Sequence, residues 1–175
     1  MKINPILNNL SSLQCIKCLS SNWNVEQDKV SCNKCNHFYN IENNKIVTAV
    51  DFIAEENWET VSDGFDLFKG NEKFTSVDII GGPRISELRH KLNIKGLSIN
   101  LGSGQDNHED FVNMDLGQYE PVNLISDLTE IPLANESVEL IVSNSVLEHI
   151  YNFNDVIEEV YRVMKSGGYF YLCVP

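Results

Sequence analysis

Nowhere in the 175 residues is there an uninterrupted apolar run near the roughly 20 residues that a membrane-spanning helix needs. The opening residues, MKINPILNNLSS, lack both the long apolar core and the cleavage-site pattern of a secretory leader. The expectation is a cytoplasmic protein. Basic residues are scarce too: 13 Lys and Arg stand against 25 Asp and Glu, a formal net charge of −12. Residues 1–50 carry five Lys and three acids, +2, so residues 51–175 hold the other eight basic and 22 acidic residues, −14. Such an acidic surface repels phosphate backbones over about a Debye length, which disfavours nucleic acid as a direct partner. The same charge also serves solubility alone. With 42% hydrophobic residues the chain can bury a core, and its length suits one domain plus a small module.

Cysteine is sparse, but four of the five form two pairs, Cys15-Ile-Lys-Cys18 and Cys32-Asn-Lys-Cys35, with 13 residues between them. Each pair can turn two thiolates toward one point, and two such knuckles joined by a hairpin supply the soft tetrahedral ligand set of zinc. Disulfides are disfavoured because cytoplasmic thiols stay reduced. Four sulfur ligands leave no open position, so the metal is expected to be structural, replacing a core that so short a segment cannot build. Strands are expected at 23–25, 29–31, 37–41 and 45–50, with Glu42-Asn-Asn44 as a hairpin turn. The expected module is a zinc ribbon over residues 1–50. His37 is either an alternative ligand or a hairpin surface residue. The arrangement resembles the zinc-ribbon partner proteins of tRNA and protein methyltransferases, and the ribbons fused ahead of some methyltransferase domains.

Residues 51–96 form a candidate helical bridge or lid. Phe52, Trp58, Val61, Phe65 and Phe68 are loosely spaced like the apolar faces of short helices. They either seal the seam between ribbon and main domain or cover a substrate pocket. Gly81-Gly82-Pro83 opens a clearer helix in which Ile85, Leu88 and Leu92 share a face, with Gly96 expected to end it.

The stretch LSINLGSG, Leu97 to Gly104, reads as a buried strand running into a turn whose backbone closely approaches something. Further strands are expected at 111–115, 122–125, 137–143 and 169–174. Between the last two lies a helix with Asp155 as cap, Val156, Ile157, Val160, Tyr161, Val163 and Met164 on its buried side, and Gly167-Gly168 at its stop. Continuous apolar strands alternating with helix signals point to an open parallel α/β sheet. Ligands of such sheets sit beyond the carboxyl ends of the strands, where this chain has Gly102 to Gly104, Asp115, Asp127 and Asn144. One acid can accept ribose hydroxyls and another can join a backbone amide at an adenine edge. A dinucleotide would want a third glycine. Here Gln105 to Asn107 follow instead, and Glu109 and Asp110 oppose phosphate. A nucleoside without phosphate fits better. His90 and His108 are expected at the surface, and Cys173, alone in an apolar strand, in the core.

LSINLGSG, FVNMDL, ISDLTEIPLANESVELIVSNSVLEHI and VIEEVYRVMKSGGYFYLCVP together resemble a class I S-adenosylmethionine-dependent methyltransferase of the type 11-like kind with a short first helix. The resemblance implies a Rossmann-like sheet, partial here, of order 3-2-1-4-5 over residues 97–175. It implies that Gly102 and Gly104, with Ser103 between them, admit the methionine part of the cofactor. Asp115 would hold the ribose, Asp127 and Leu128 contact the adenine, and Asn144 line the methionine side. His149 is a candidate base, or else a packing residue of its turn. The chain departs from the family at Asn100, where an acid for the cofactor's amino group is usual. It also has only nine residues, Gly102 to Asp110, between the first two strands. The sequence ends at the fifth strand, where the family continues through two more. The expected function is methyl transfer from S-adenosylmethionine to a small-molecule or biosynthetic-intermediate acceptor. The alternative is a non-catalytic adaptor that binds a protein partner, with the fifth strand as an edge open to pairing or self-association.

Overall fold

The computed structural model describes residues 4–48 and 85–174. Phe52, Trp58, Val61, Phe65, Phe68 and the Gly81-Gly82-Pro83 start signal lie outside the described residues. The first strands are β1 (Trp23–Val25), β2 (Lys29–Cys32), β3 (Phe38–Glu42) and β4 (Lys45–Val47), followed by helix α1 (Ile85–Lys91). Then come β5 (Leu97–Leu101), β6 (Val112–Asp115), β7 (Leu124–Ile125), β8 (Val138–Asn144), α2 (Phe153–Val163) and β9 (Met164–Cys173). They form one nine-stranded sheet of order β1-β2-β3-β4-β7-β6-β5-β8-β9. The run β7-β6-β5-β8-β9 is parallel throughout and has the expected 3-2-1-4-5 order.

The ribbon is built into this sheet. Asn43 and Asn44 both have positive φ (50° and 63°), and Glu42 pairs with Lys45, the geometry of a tight hairpin turn matched to strand twist. The turn leaves the far edge of β4 free to pair in parallel with β7, Ile46 opposite Leu124 and Val47 opposite Ile125. Asn4 clamps this joint: its buried side-chain amide donates to Asn44 O (2.9 Å) and Asn123 O (2.7 Å). A second seam joins Leu13 to Leu133 as a bridge, with Gln14 N donating to Pro132 O and Ala134 N to Ser12 O. Val30, Tyr39 and Ile46 of the ribbon share one apolar cluster with Leu101, Met114 and Val160. Each aliphatic side chain so buried contributes about 1.5–3 kcal/mol, so the seam is part of the core.

Both helices stop where the sequence does not place their ends. At α1, Asn93 adopts φ 54°, with Ile94 N bonding Arg89 O and Asn93 N bonding His90 O. This caps the last carbonyls with a left-handed residue. Gly96 lies beyond and donates its N–H to Glu139. At α2, Asn152 holds the cap position and Asp155 sits inside the first turn. The helix ends at Val163 because Met164 turns extended (φ −73°, ψ 132°) and pairs with Val138 as the start of β9. Gly167 and Gly168 therefore belong to the irregular early part of β9. Val156, Ile157, Val160 and Val163 are buried as expected, whereas Tyr161 is 37% exposed. Among the described residues β9 is one of the sheet's two edges, and Cys173 near its end is exposed rather than in the core. No described helix is long and apolar enough to cross a membrane.

Candidate functional site

The carboxyl end of β5 feeds a turn that only glycine tolerates comfortably. Gly102 has φ 63°, and a Cβ there would lie 2.5 Å from both Cγ atoms of Val146. Gly104 has φ 53°, but a Cβ there would meet nothing within 4 Å among the described residues. The first glycine permits close packing and the second borders open space. Between them, Ser103 N donates to Met114 O on β6 (3.0 Å). Only turns, and no helix, occupy the stretch from Gly102 to Asp110.

Asp115, the last residue of β6, reaches back to this turn. Gly104 N donates to its Oδ2 (2.8 Å) and Gly117 N to its Oδ1 (2.7 Å). Two backbone N–H groups fix the carboxylate plane, and lone pairs remain on both oxygens for further donors. Asp127 follows β7. Its Oδ1 accepts from Thr129 N and Thr129 Oγ1, both at 2.8 Å, so Oδ2 is left for another partner. Leu128 is buried beside it. Asn144 is exposed at the end of β8, one residue past Ser143, which pairs with Leu101. The structure thus ties Gly104 to Asp115 directly and sets Asp127 and Asn144 at the carboxyl ends of the flanking strands.

Asn100 takes no part in this constellation: it is buried, and its Nδ2 faces Asn113 Oδ1 at 3.5 Å across the β5–β6 ladder. His149 ends a short 3-10 turn, Leu147–His149. Its side chain is 53% exposed, with Nε2 3.9 Å from Glu148 Oε1. Neither Glu148, which precedes His149, nor Ser143 was assigned a role from the sequence. Both carboxylate oxygens of Glu148 and the hydroxyls of Ser143 and Ser103 are buried without a hydrogen-bond partner. The available signal was an acid next to His149 in VLEHI. His108 was expected at the surface; it packs against Phe111 with ring centroids 5.7 Å apart and its Nε2 is buried. A cavity of about 350 Å³ lined by Glu42, Asn43, Lys45, Gln118, Glu120 and Ile125 shares no residue with the glycine turn or its acids.

In the ribbon, the sulfurs of Cys15, Cys18, Cys32 and Cys35 all lie within 4.8 Å of one another. Cys15 and Cys35 are 3.6 Å apart, and Cys18 and Cys32 3.5 Å. Four thiolates about 2.3 Å from a zinc ion would stand about 3.8 Å apart in a tetrahedron, so the donor set fits zinc. The two knuckles repeat one backbone design. Leu19 (φ 59°) and Asn36 (φ 60°) follow the second cysteine of each pair. Leu19 N bonds Cys15 O and Asn36 N bonds Cys32 O, while Cys15 N bonds Ser20 O and Cys32 N bonds His37 O. Burial pushes the Cys15 thiol up to about 12. At Cys32 burial acts the same way, but the N–H groups of Lys34 and Cys35 and the neighbouring thiols outweigh it and bring the thiol down to about 6. Tyr39 Oη donates to Gln14 O and accepts from Ile16 N, both at 3.0 Å. His37 stands edge-on to Tyr39 and is not among the clustered ligands.

Residues 97–172 match the family model described as a methyltransferase domain. Over 49 residues the chain is 35% identical to a Mycolicibacterium smegmatis protein described as a probable S-adenosylmethionine-dependent methyltransferase; the alignment takes in 28% of this chain and only 19% of that protein. A crystal structure of a candidate S-adenosyl-L-methionine-dependent methyltransferase from Methanococcus maripaludis overlays with a TM-score of 0.42 at 22% identity, covering 49% of this chain and 52% of that one. The resemblance carried by LSINLGSG and the segments after it is thus found independently for residues 97–172, the span that holds the glycine turn, Asp115, Asp127, Asn144 and His149.

Proposed function

We propose that this protein binds S-adenosylmethionine over the Gly102–Gly104 turn and transfers its methyl group to a small-molecule acceptor, while the N-terminal ribbon holds a structural zinc ion. The observation that carries this reading is the hydrogen bond from Gly104 N to Asp115 Oδ2. It couples a turn bordering open space to an oriented carboxylate, as a ribose next to a methionine chain requires. When bound, the cofactor supplies an electrophilic methyl on a sulfonium, so the chain's part is alignment and exclusion of water. Asp115 accepts the ribose hydroxyls, Asp127 Oδ2 and the Leu128 surface meet the adenine, and Asn144 lines the methionine side. His149, half in solvent, takes the proton of an O–H or N–H acceptor.

The ribbon serves as a metal-stiffened extension of the sheet, joined to it through β4 and β7. A second reading, a non-catalytic adaptor for a protein partner, is favoured by the edge that β9 forms among the described residues. Calorimetric titration with S-adenosylhomocysteine separates the two. The enzyme reading expects saturable binding, and folded protein that shows none at millimolar ligand overturns it.

A further inference from the structure

Four oxygens near the glycine turn are buried without a partner: Glu148 Oε1 and Oε2, Ser103 Oγ and Ser143 Oγ. Register places them at the same end of the sheet. Ser143 is paired with Leu101, immediately before Gly102; Ser103 follows Gly102; and the Val146 side chain that packs on Gly102 lies two residues before Glu148. Buried polar groups are nearly always paired, and an unpaired buried carboxylate is the costliest kind to leave so. His149 Nε2 stands 3.9 Å from its Oε1, beyond hydrogen-bond reach.

The other carboxylates at the strand ends are occupied differently. Asp115 holds two backbone N–H groups, and Asp127 has one oxygen committed to Thr129. Position 100, deep in β5, offers the neutral Asn100, whose amide faces Asn113. Glu148, two residues after the Val146 that packs on Gly102, is therefore the strand-end acid with neither oxygen hydrogen-bonded. What satisfies it must bring several N–H donors and a positive charge, whereas the two serine hydroxyls at the same end of the sheet can donate to an anion. An α-amino acid, with its ammonium and carboxylate on one carbon, presents both.

We infer that Glu148 binds the α-ammonium of the cofactor's methionine part, with the Ser103 and Ser143 hydroxyls turned to its α-carboxylate; this rests on the S-adenosylmethionine reading above. Glu148 then makes the amino-acid portion, rather than the nucleoside alone, the basis of recognition. The test is calorimetry with two probes that share the adenosine and thioether: S-adenosylhomocysteine, which carries the amino acid, and 5′-methylthioadenosine, which does not. Glu148→Gln should weaken S-adenosylhomocysteine by about 10- to 100-fold, the loss of charge-assisted hydrogen bonds, and leave 5′-methylthioadenosine unchanged. Binding of the second probe also reports that the variant is folded. Glu148→Asp, which keeps the charge, should recover part of the loss, and Ser143→Ala should show a smaller loss confined to the same probe. An unchanged affinity for S-adenosylhomocysteine in Glu148→Gln, or an equal loss for both probes, overturns the assignment of Glu148 alone. Wild-type protein that binds neither probe overturns the cofactor reading and this inference with it.

Discussion

The two candidate sites are built by opposite strategies. The metal centre is local: each knuckle makes its own left-handed turn, at Leu19 and at Asn36, and its own pair of backbone hydrogen bonds. One hairpin then brings the sulfurs within 4.8 Å. The strand-end site is assembled at a distance from the ends of β5, β6, β7 and β8, and its parts hold one another through contacts such as Gly104 to Asp115. A local site depends on its ligand for stability, because little else holds it together. A distributed site depends on the sheet, and here the sheet includes the ribbon.

Metal removal is expected to have the largest effect and tests that dependence. Structural zinc contributes on the order of 10–16 kcal/mol to small domains at neutral pH, and protein purified without chelator should carry about one zinc per chain, as a Cys₄ site requires. Chelation should unfold the ribbon and, through β4–β7, expose the Ile46 and Thr48 amides, which bond Asn123 O and Ile125 O. Hydrogen exchange at those two amides is the readout. Persistent protection without metal would show that the two regions are independent. Acid should act in the same direction as chelation, because protons compete for the four thiolates. The competition is strongest at Cys15, which burial pushes up to about 12, so zinc affinity falls as pH is lowered.

How much of each region was legible follows from the same contrast. The ribbon's strands and turn could be read almost residue by residue, because Cys-x-x-Cys spacing and an Asn-Asn turn are local chemistry. The five core strands were legible as apolar runs, and their order came from the resemblance. The joint between β4 and β7 was not legible. A three-residue edge strand such as Lys45–Val47 carries no mark of which distant edge it meets. Helix ends failed for a related reason. Asn93 takes a left-handed conformation that glycine at 96 was expected to supply, and Met164 is apolar enough for helix or strand until its pairing with Val138 decides. Cys173 reads as core because its neighbours are apolar, but only the sheet order shows that β9 is an edge. Glu148 was visible as an acid beside His149, but its burial was not, because one acid in a short turn leaves no periodic trace.

Arg162 offers the next largest effect, since it links the two regions from the side of α2. Its guanidinium makes a forked pair with Glu159, at 2.6 and 2.7 Å, and donates to Ile131 O, Leu133 O and Gln14 Oε1. Arg162→Ala leaves Glu159 and two carbonyls short of a donor at a partly buried position, a loss of about 3 kcal/mol. Urea denaturation followed at Trp23, whose indole bonds Leu13 O in the ribbon, checks it. Arg162→Lys should recover little, because a single ammonium cannot reproduce the fork.

Gly104→Ala has the smallest expected effect on the fold and isolates the strand-end site most cleanly. The backbone there is left-handed, φ 53°, so alanine costs about 1 kcal/mol of conformational preference. The added methyl meets nothing within 4 Å, so there is no clash to add to it. That open space is where the cofactor's backbone-close portion is proposed to lie. Binding of S-adenosylhomocysteine should therefore fall by more than the loss in thermal stability accounts for. Gly102→Ala is the contrast within the same turn. Its methyl would run into Val146 at 2.5 Å, so stability should fall first and binding with it. If Gly104→Ala binds like the wild type, the ligand does not pass over this turn, and Asp115 holds the loop for its own sake.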